Sequence, residues 1–336
     1  MSESSVVYLC PGQGAQAVGM GGRWREASAA AASIFQRADA LLAKRAEWKS
    51  RRPLSEICAS GPAEELDRTD VSQPALYTCA LASFHALRGA GDAPPIVAAA
   101  GLSLGEYTAL AIAGAFSFEH GLTLVAERGR LMQAAAESSR GGMVALIGAD
   151  EAQAQGICDE AAAGEVLVAA NFNAPGQIVL SGHSTACDRA EKAASSMGVR
   201  ATRLKVAGAF HSPLMAPAAE GLRKALEPVA FAPLACDVWS NVTTSQHGRR
   251  EPDGIKKLLV EQLIRPVRWS QSCEQMIAAL SAVGGVRFHE LAPGSVLKGL
   301  MRRINRSCEV TSHDQPSQPS QPSQPSQPES IQRAST

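Results

Sequence analysis

The run Ile96-Val-Ala-Ala-Ala-Gly-Leu-Ser-Leu-Gly-Glu-Tyr107 passes from apolar residues through Gly101-Leu102-Ser103-Leu104-Gly105 into a helix-like segment. A G-x-S-x-G pattern between a strand and a helix is the setting in which a serine is held on a tight turn with its hydroxyl exposed. Its glycines fit because such an elbow strains the backbone and leaves no room for neighbouring side chains. The helix that follows aims free N–H groups and a positive dipole end at negative charge growing near Ser103. The Leu104 N–H is thus a natural oxyanion donor.

Outward from this elbow, short β-rich runs at 6–10, 96–100 and 166–170 alternate with longer alanine-rich stretches of helical character. That alternation predicts an α/β architecture with a mostly parallel sheet. One section reads differently. Strand-like 142–148, helical 152–163, strand-like 166–171 and 177–181, helical 184–197 and strand-like 200–206 follow one another. This β-α-β-β-α-β order is that of a ferredoxin-like unit. It predicts a small subdomain at 139–206 inserted between 1–138 and 207–312 of a larger α/β domain. From 315 to 328 a Gln-Pro-Ser repeat contains no apolar residue except proline, so 313–336 reads as a disordered, partly polyproline-II tail.

Composition narrows the function classes. At 336 residues and 45% hydrophobic content, the chain is long enough for a well-buried core, which excludes a disulfide-stapled miniprotein. Equal numbers of basic and acidic residues, 32 each, remove the footprint of a general nucleic-acid or anionic-membrane binder. The eight cysteines form no C-x-x-C pair, which argues against a structural zinc site and predicts buried, reduced thiols of a cytoplasmic protein. The N-terminus lacks a basic stretch before its apolar run, so no signal peptide is expected. No apolar run reaches the roughly 18 residues of a membrane span.

A serine nucleophile needs a base. His85 and His120 sit in helix-like runs, and His183, His247 and His313 lie in polar or turn-like sequence suited to surface or structural roles. His211, in Val206-Ala-Gly-Ala-Phe-His-Ser-Pro-Leu-Met, follows an apolar strand candidate, where α/β folds place active sites. His289, in Phe288-His-Glu-Leu-Ala-Pro-Gly, has a similar setting and is its rival. Arg128 lies one helical ascent and one return beyond Ser103, which at about 1.5 Å per residue brings it back to the height of the serine. There it could hold a substrate carboxylate, or be an ordinary solvated helix arginine. Near the N-terminus, Gly12, Gly14 and Ala17 fit a loose dinucleotide pattern without the acidic residue that should follow. The preferred reading of that turn is a second oxyanion donor, the Gln13 N–H.

Taken together, Pro11-Gly-Gln-Gly-Ala-Gln, Ser72-Gln-Pro-Ala-Leu, Gly101-Leu-Ser-Leu-Gly-Glu-Tyr, Arg128, Gly208-Ala-Phe-His-Ser-Pro-Leu-Met and Gln262-Leu-Ile-Arg-Pro-Val-Arg-Trp resemble the malonyl-CoA:acyl carrier protein transacylases, in order, from Val6 to Ile304. The resemblance implies a hydrolase-like α/β domain with a ferredoxin-like insert. It implies Ser103 as nucleophile, His211 as base, Arg128 as ligand of the malonyl carboxylate, and the N–H groups of Gln13 and Leu104 as oxyanion hole. It also implies that the backbone carbonyl of Gln262 orients the histidine, and that Phe210 marks malonyl selectivity. Many members carry histidine where this chain has Leu102, a change expected to alter elbow packing more than mechanism.

The implied reaction moves malonyl from malonyl-CoA to the phosphopantetheine thiol of acyl carrier protein through a malonyl-serine, in fatty acid biosynthesis. The implied enzyme needs no metal or other cofactor, contacts neither nucleic acid nor membrane, and is expected to be a monomer. The alternatives are malonyl loading for a polyketide synthase, a serine esterase or thioesterase using the late His289, and a non-catalytic carrier-binding module.

Overall fold

The computed structural model describes residues 5–89 and 93–316. The repeat from 317 onward lies outside the described residues. Five strands form one parallel sheet: β1 (Val6–Cys10), β2 (Ile96–Gly101), β7 (Asp237–Val238), β8 (Arg287–Leu291) and β9 (Val310–His313), in the order β7-β2-β1-β8-β9. The central strand β1, Val-Val-Tyr-Leu-Cys, is buried along its whole length. Helices cover both faces of a parallel sheet, so its strands read as continuous apolar runs.

A second, antiparallel sheet of order β4-β5-β3-β6 is built from β3 (Gly141–Ile147), β4 (Leu167–Ala174), β5 (Gln177–His183) and β6 (Arg200–Arg203). Helices Glu151–Ala162 and Ser184–Ser196 pack on it and share a separate apolar core around Leu146, Ile157, Leu180 and Ala190. The first of these helices starts on a reciprocal cap, in which the Asp150 side chain accepts from Gln153 N and the Gln153 side chain from Asp150 N. The antiparallel sheet is tied to the segment leading into the helix Trp269–Leu280 by backbone hydrogen bonds from Phe172 N to Val267 O and from Val267 N to Ala170 O.

Two sequence expectations are corrected here. The strand expected over 200–206 ends at Arg203, and His211 lies in a turn with φ 57°, not at the end of a strand. The chain bends because Gly208 seats against Ala136, where an added Cβ would come within 2.5 Å of the Ala136 Cβ. His313, assigned to the tail, is the last residue of β9 and is buried beside β8. All eight cysteines are free thiols, and all but Cys308 are buried.

Candidate active site

The carboxyl ends of β1 and β2 lie side by side, and the turns that leave them interlock. A Cβ on Gly101 would sit 1.8 Å from the Gly105 carbonyl carbon, one on Gly105 would sit 2.1 Å from Cys10 O, and one on Gly12 would sit 2.3 Å from Leu102 O. Only glycine fits at these three approaches. Their closeness forces Ser103 into the left-handed region at φ 51°, a conformation that costs a non-glycine residue on the order of 1–3 kcal/mol. Asn241, just beyond β7, offsets that strain: its Oδ1 accepts from Ser103 N at 2.7 Å and its Nδ2 donates to Gly101 O at 2.9 Å.

Ser103 Oγ is 2.9 Å from His211 Nε2, and His211 Nδ1 is 2.7 Å from the Gln262 carbonyl oxygen. A carbonyl can only accept, so the hydrogen sits on Nδ1 and the Nε2 lone pair faces the serine hydroxyl. Burial, then the nearby Arg128 cation, lowers the His211 pKa to about 4, against a smaller upward pull from the Gln262 bond. Near neutral pH the imidazole is therefore a free base, ready to take a proton.

Arg128 comes back to Ser103 on the helix Phe118–Ser139, as the helical arithmetic expects, but it is buried rather than solvated. Its Nη2 donates to Ser103 Oγ at 3.1 Å and to Gln262 Oε1 at 2.9 Å, and its Nη1 donates to Gln73 Oε1 at 2.7 Å. Among the described residues no carboxylate lies within ion-pair distance of this guanidinium, and its Nε has no hydrogen-bond partner. Such a cation is costly to bury unless an anion arrives to meet it. Gln13 and Leu104 flank the serine, and among the described residues neither backbone N–H has a hydrogen-bond partner.

Ser103, His211 and Gln13 line a cleft of about 780 Å³ between the two sheets. Phe210, Leu204 and Val179 make its walls largely apolar, while Asn171 and Gln177 add polar groups from the antiparallel sheet. The rival histidine is elsewhere. His289 Nδ1 is 2.6 Å from His313 Nε2, their rings are stacked, and the partner of the serine is His211.

Several residues of this region escaped the sequence reading. Asn241 is an ordinary amide far along the chain from Ser103, with no local pattern to mark it, and Gln73 stands in the run Ser72-Gln-Pro-Ala-Leu without a role assigned to it. His247 reads as a surface or structural residue in turn-like sequence, and it is the buried, structural kind, with its Nε2 2.7 Å from Glu106 Oε1. The one available signal was Glu106 itself, an acid one turn beyond an elbow in an apolar helix.

A serine on a strained turn at the end of a parallel sheet, with a neutral histidine on its hydroxyl, defines a serine acyl-transfer enzyme. The comparisons with known proteins agree. The model of the acyl transferase domain matches residues 7–322. The malonyl CoA-acyl carrier protein transacylase of Bacillus subtilis (strain 168) is 38% identical over 315 residues, 93% of this chain and 94% of that protein. The structure of the malonyl CoA-acyl carrier protein transacylase from Coxiella burnetii is similar with a TM-score of 0.85 at 36% identity, covering 93% of this chain and 95% of that one. A malonyl-transacylase in complex with its type II PKS acyl-carrier protein is similar with a TM-score of 0.85 at 34% identity, covering 93% and 97%. The chain belongs to the acyl transferase family, among the malonyl CoA-acyl carrier protein transacylases.

Proposed function

We propose that this protein transfers malonyl from malonyl-CoA to the phosphopantetheine thiol of acyl carrier protein, with Ser103 as nucleophile and His211 as base. The observation that carries the reading is the buried Arg128, which among the described residues has no carboxylate partner yet reaches the Ser103 hydroxyl at 3.1 Å. A malonyl group on that oxygen would bring its free carboxylate to the waiting guanidinium, which can hold it through two N–H donors.

His211 Nε2 takes the Ser103 proton as Oγ attacks the thioester carbonyl, and the Gln13 and Leu104 N–H groups receive the oxyanion. The Gln262 carbonyl holds the Nδ1–H and steadies the imidazolium. Collapse of the tetrahedral adduct breaks the C–S bond, and the imidazolium returns its proton to the departing thiolate. The carrier thiol then attacks the malonyl-serine, His211 removes its proton, and Ser103 regains it. An ester between two thioesters keeps the exchange reversible. The residues need no metal or other cofactor for these steps.

The same reading makes 139–206 a ferredoxin-like subdomain inserted in a hydrolase-like domain of 1–138 and 207–312. Its β-α-β-β-α-β order and separate core support this. A single chain carries every group the cycle uses, so a cytoplasmic monomer suffices. A carrier of fatty acid synthesis and one of polyketide synthesis would call on the same catalytic groups. The test is intact-protein mass after brief exposure to malonyl-CoA. The expected result is a malonyl adduct on the wild type, absent from Ser103→Ala and discharged by added carrier protein. Loss of the adduct to water alone would make the protein a hydrolase.

A further inference from the structure

Two opposite charges are buried on either side of the Gln262 side chain. Glu106, in the first turn of the helix Gly105–Ile112, is wholly buried, and among the described residues no lysine or arginine lies within ion-pair distance of it. Its oxygens do not turn back to cap their own helix, the usual task of an acid at that position. Oε2 accepts from Gln262 Nε2 at 2.6 Å and from Asn241 N at 3.1 Å, and Oε1 accepts from His247 Nε2 at 2.7 Å. On the other side, Gln262 Oε1 accepts from Arg128 Nη2 at 2.9 Å.

The amide orientation follows from its partners, because a guanidinium can only donate and a carboxylate can only accept. Gln262 therefore points its oxygen at the cation and its NH₂ at the anion, and each charge is compensated through one amide. Burial lowers the Arg128 pKa, and Tyr107 first and then the Glu106 charge act in the opposite sense. The two amides that Glu106 accepts from also meet the elbow itself, since Asn241 Oδ1 accepts from Ser103 N and Gln262 Nε2 donates to Ser103 O at 3.1 Å.

We propose that Glu106 is a positioning residue that partly compensates Arg128 through the Gln262 amide and so limits how tightly the guanidinium holds an acyl carboxylate, with His247 keeping Glu106 in place. This rests on Arg128 being the carboxylate ligand. An uncompensated arginine would hold the malonyl-serine too firmly for ready exchange, because electrostatic attraction is strong where water is excluded. Compensation leaves selectivity for a carboxylate while keeping it releasable.

Glu106→Gln separates charge from geometry. The new amide oxygen can still accept from Gln262 and Asn241, while its NH₂ faces His247, whose Nδ1 has no partner among the described residues, so that its tautomer is free to switch. The expected result is a fall of about tenfold in KM for malonyl-CoA, with slower discharge of malonyl-serine to carrier and acetyl transfer altered less than about twofold. An unchanged or raised malonyl KM, or an equal fall in malonyl and acetyl transfer, would overturn the proposal.

If Glu106→Gln does not fold, His247→Leu provides the reading: it strips the donor from Oε1 and is expected to lower the malonyl KM in the same direction. His247→Gln, which restores a donor, should return it to the wild-type value, whereas an identical KM in both His247 variants and the wild type would overturn the role of the pair. Arg128→Ala distinguishes the two readings. If it keeps the malonyl preference, the carboxylate-ligand assignment fails; if it loses that preference while Glu106→Gln is silent, only the proposal here fails.

Discussion

His211 and His289 share much of their physical description. His211 is buried and His289 half-buried, and burial is the first cause that lowers the pKa of each to about 4. In the sequence both stand near the end of an apolar run, with His211 the preferred base and His289 its rival. What separates them is the partner. His211 has a serine hydroxyl on one nitrogen and a main-chain carbonyl on the other, so it has a proton to take and a fixed tautomer. His289 faces another imidazole on β9 and the Tyr8 ring, with no nucleophile. A depressed pKa thus marks burial, and the hydrogen-bond partner marks chemistry.

The largest effect should come from breaking the His211 side. His211→Ala is expected to lower kcat for malonyl transfer by about a thousandfold or more, measured as the rate of malonyl-serine formation, because the hydroxyl loses its proton acceptor. A near-normal rate in this variant, with loss in His289→Ala, would reverse the comparison. Next in size is Arg128→Ala. Its expected cost is about a hundredfold in kcat/KM for malonyl-CoA, with acetyl-CoA transfer spared or raised, since a malonyl carboxylate would then be buried without its cation.

The two histidines also differ in how pH reads them. With the His211 pKa at about 4, the imidazole stays a free base well below its usual 6.5, so the acid limb of kcat/KM should lie nearer pH 4 than pH 6.5. Arg128 contributes to that depression. Arg128→Met should therefore move the acid limb to higher pH, and a limb that stayed in place would show that burial alone sets the value.

Sequence legibility divided along the same line. The elbow was readable because Gly101, Ser103 and Gly105 are adjacent in the chain, and their spacing is itself the steric requirement. Arg128 was readable because helical rise converts residue number into height. The antiparallel unit announced itself through element order, and the structure gives it a separate apolar core. The network behind the serine was not readable. Asn241, His247 and the side chain of Gln262, whose carbonyl alone had been expected at the site, come from turns and helix ends far from Ser103 in sequence, and their roles depend on which side-chain atoms meet. His211 was found for a partly wrong reason, since the strand thought to deliver it stops at Arg203 and a glycine-led bend does the work. His313 was lost to the tail because Val-Thr-Ser-His is a short run whose strand character depends on pairing with β8.

The smallest effect concerns His289, and it tests whether the pair is purely structural. The folded pKa of about 4 lies below the 6.5 of an unfolded histidine, the shift coming from burial first and then from His313 and Arg287. Between those values the unfolded chain binds more protons than the folded one, so stability falls as pH drops from about 6.5 towards 4. His289→Asn keeps a group able to hydrogen-bond His313 and removes that titration. Its melting temperature should decline less than the wild type's between pH 7 and pH 4.5, by about 2 °C or more, while malonyl transfer at pH 7 stays unchanged. His211 keeps its own share of the acid sensitivity in this variant, so part of the decline must remain. Equal declines in the two proteins would mean that His289 takes up its proton without cost, and that the stacked imidazoles are more open to water than their contacts show.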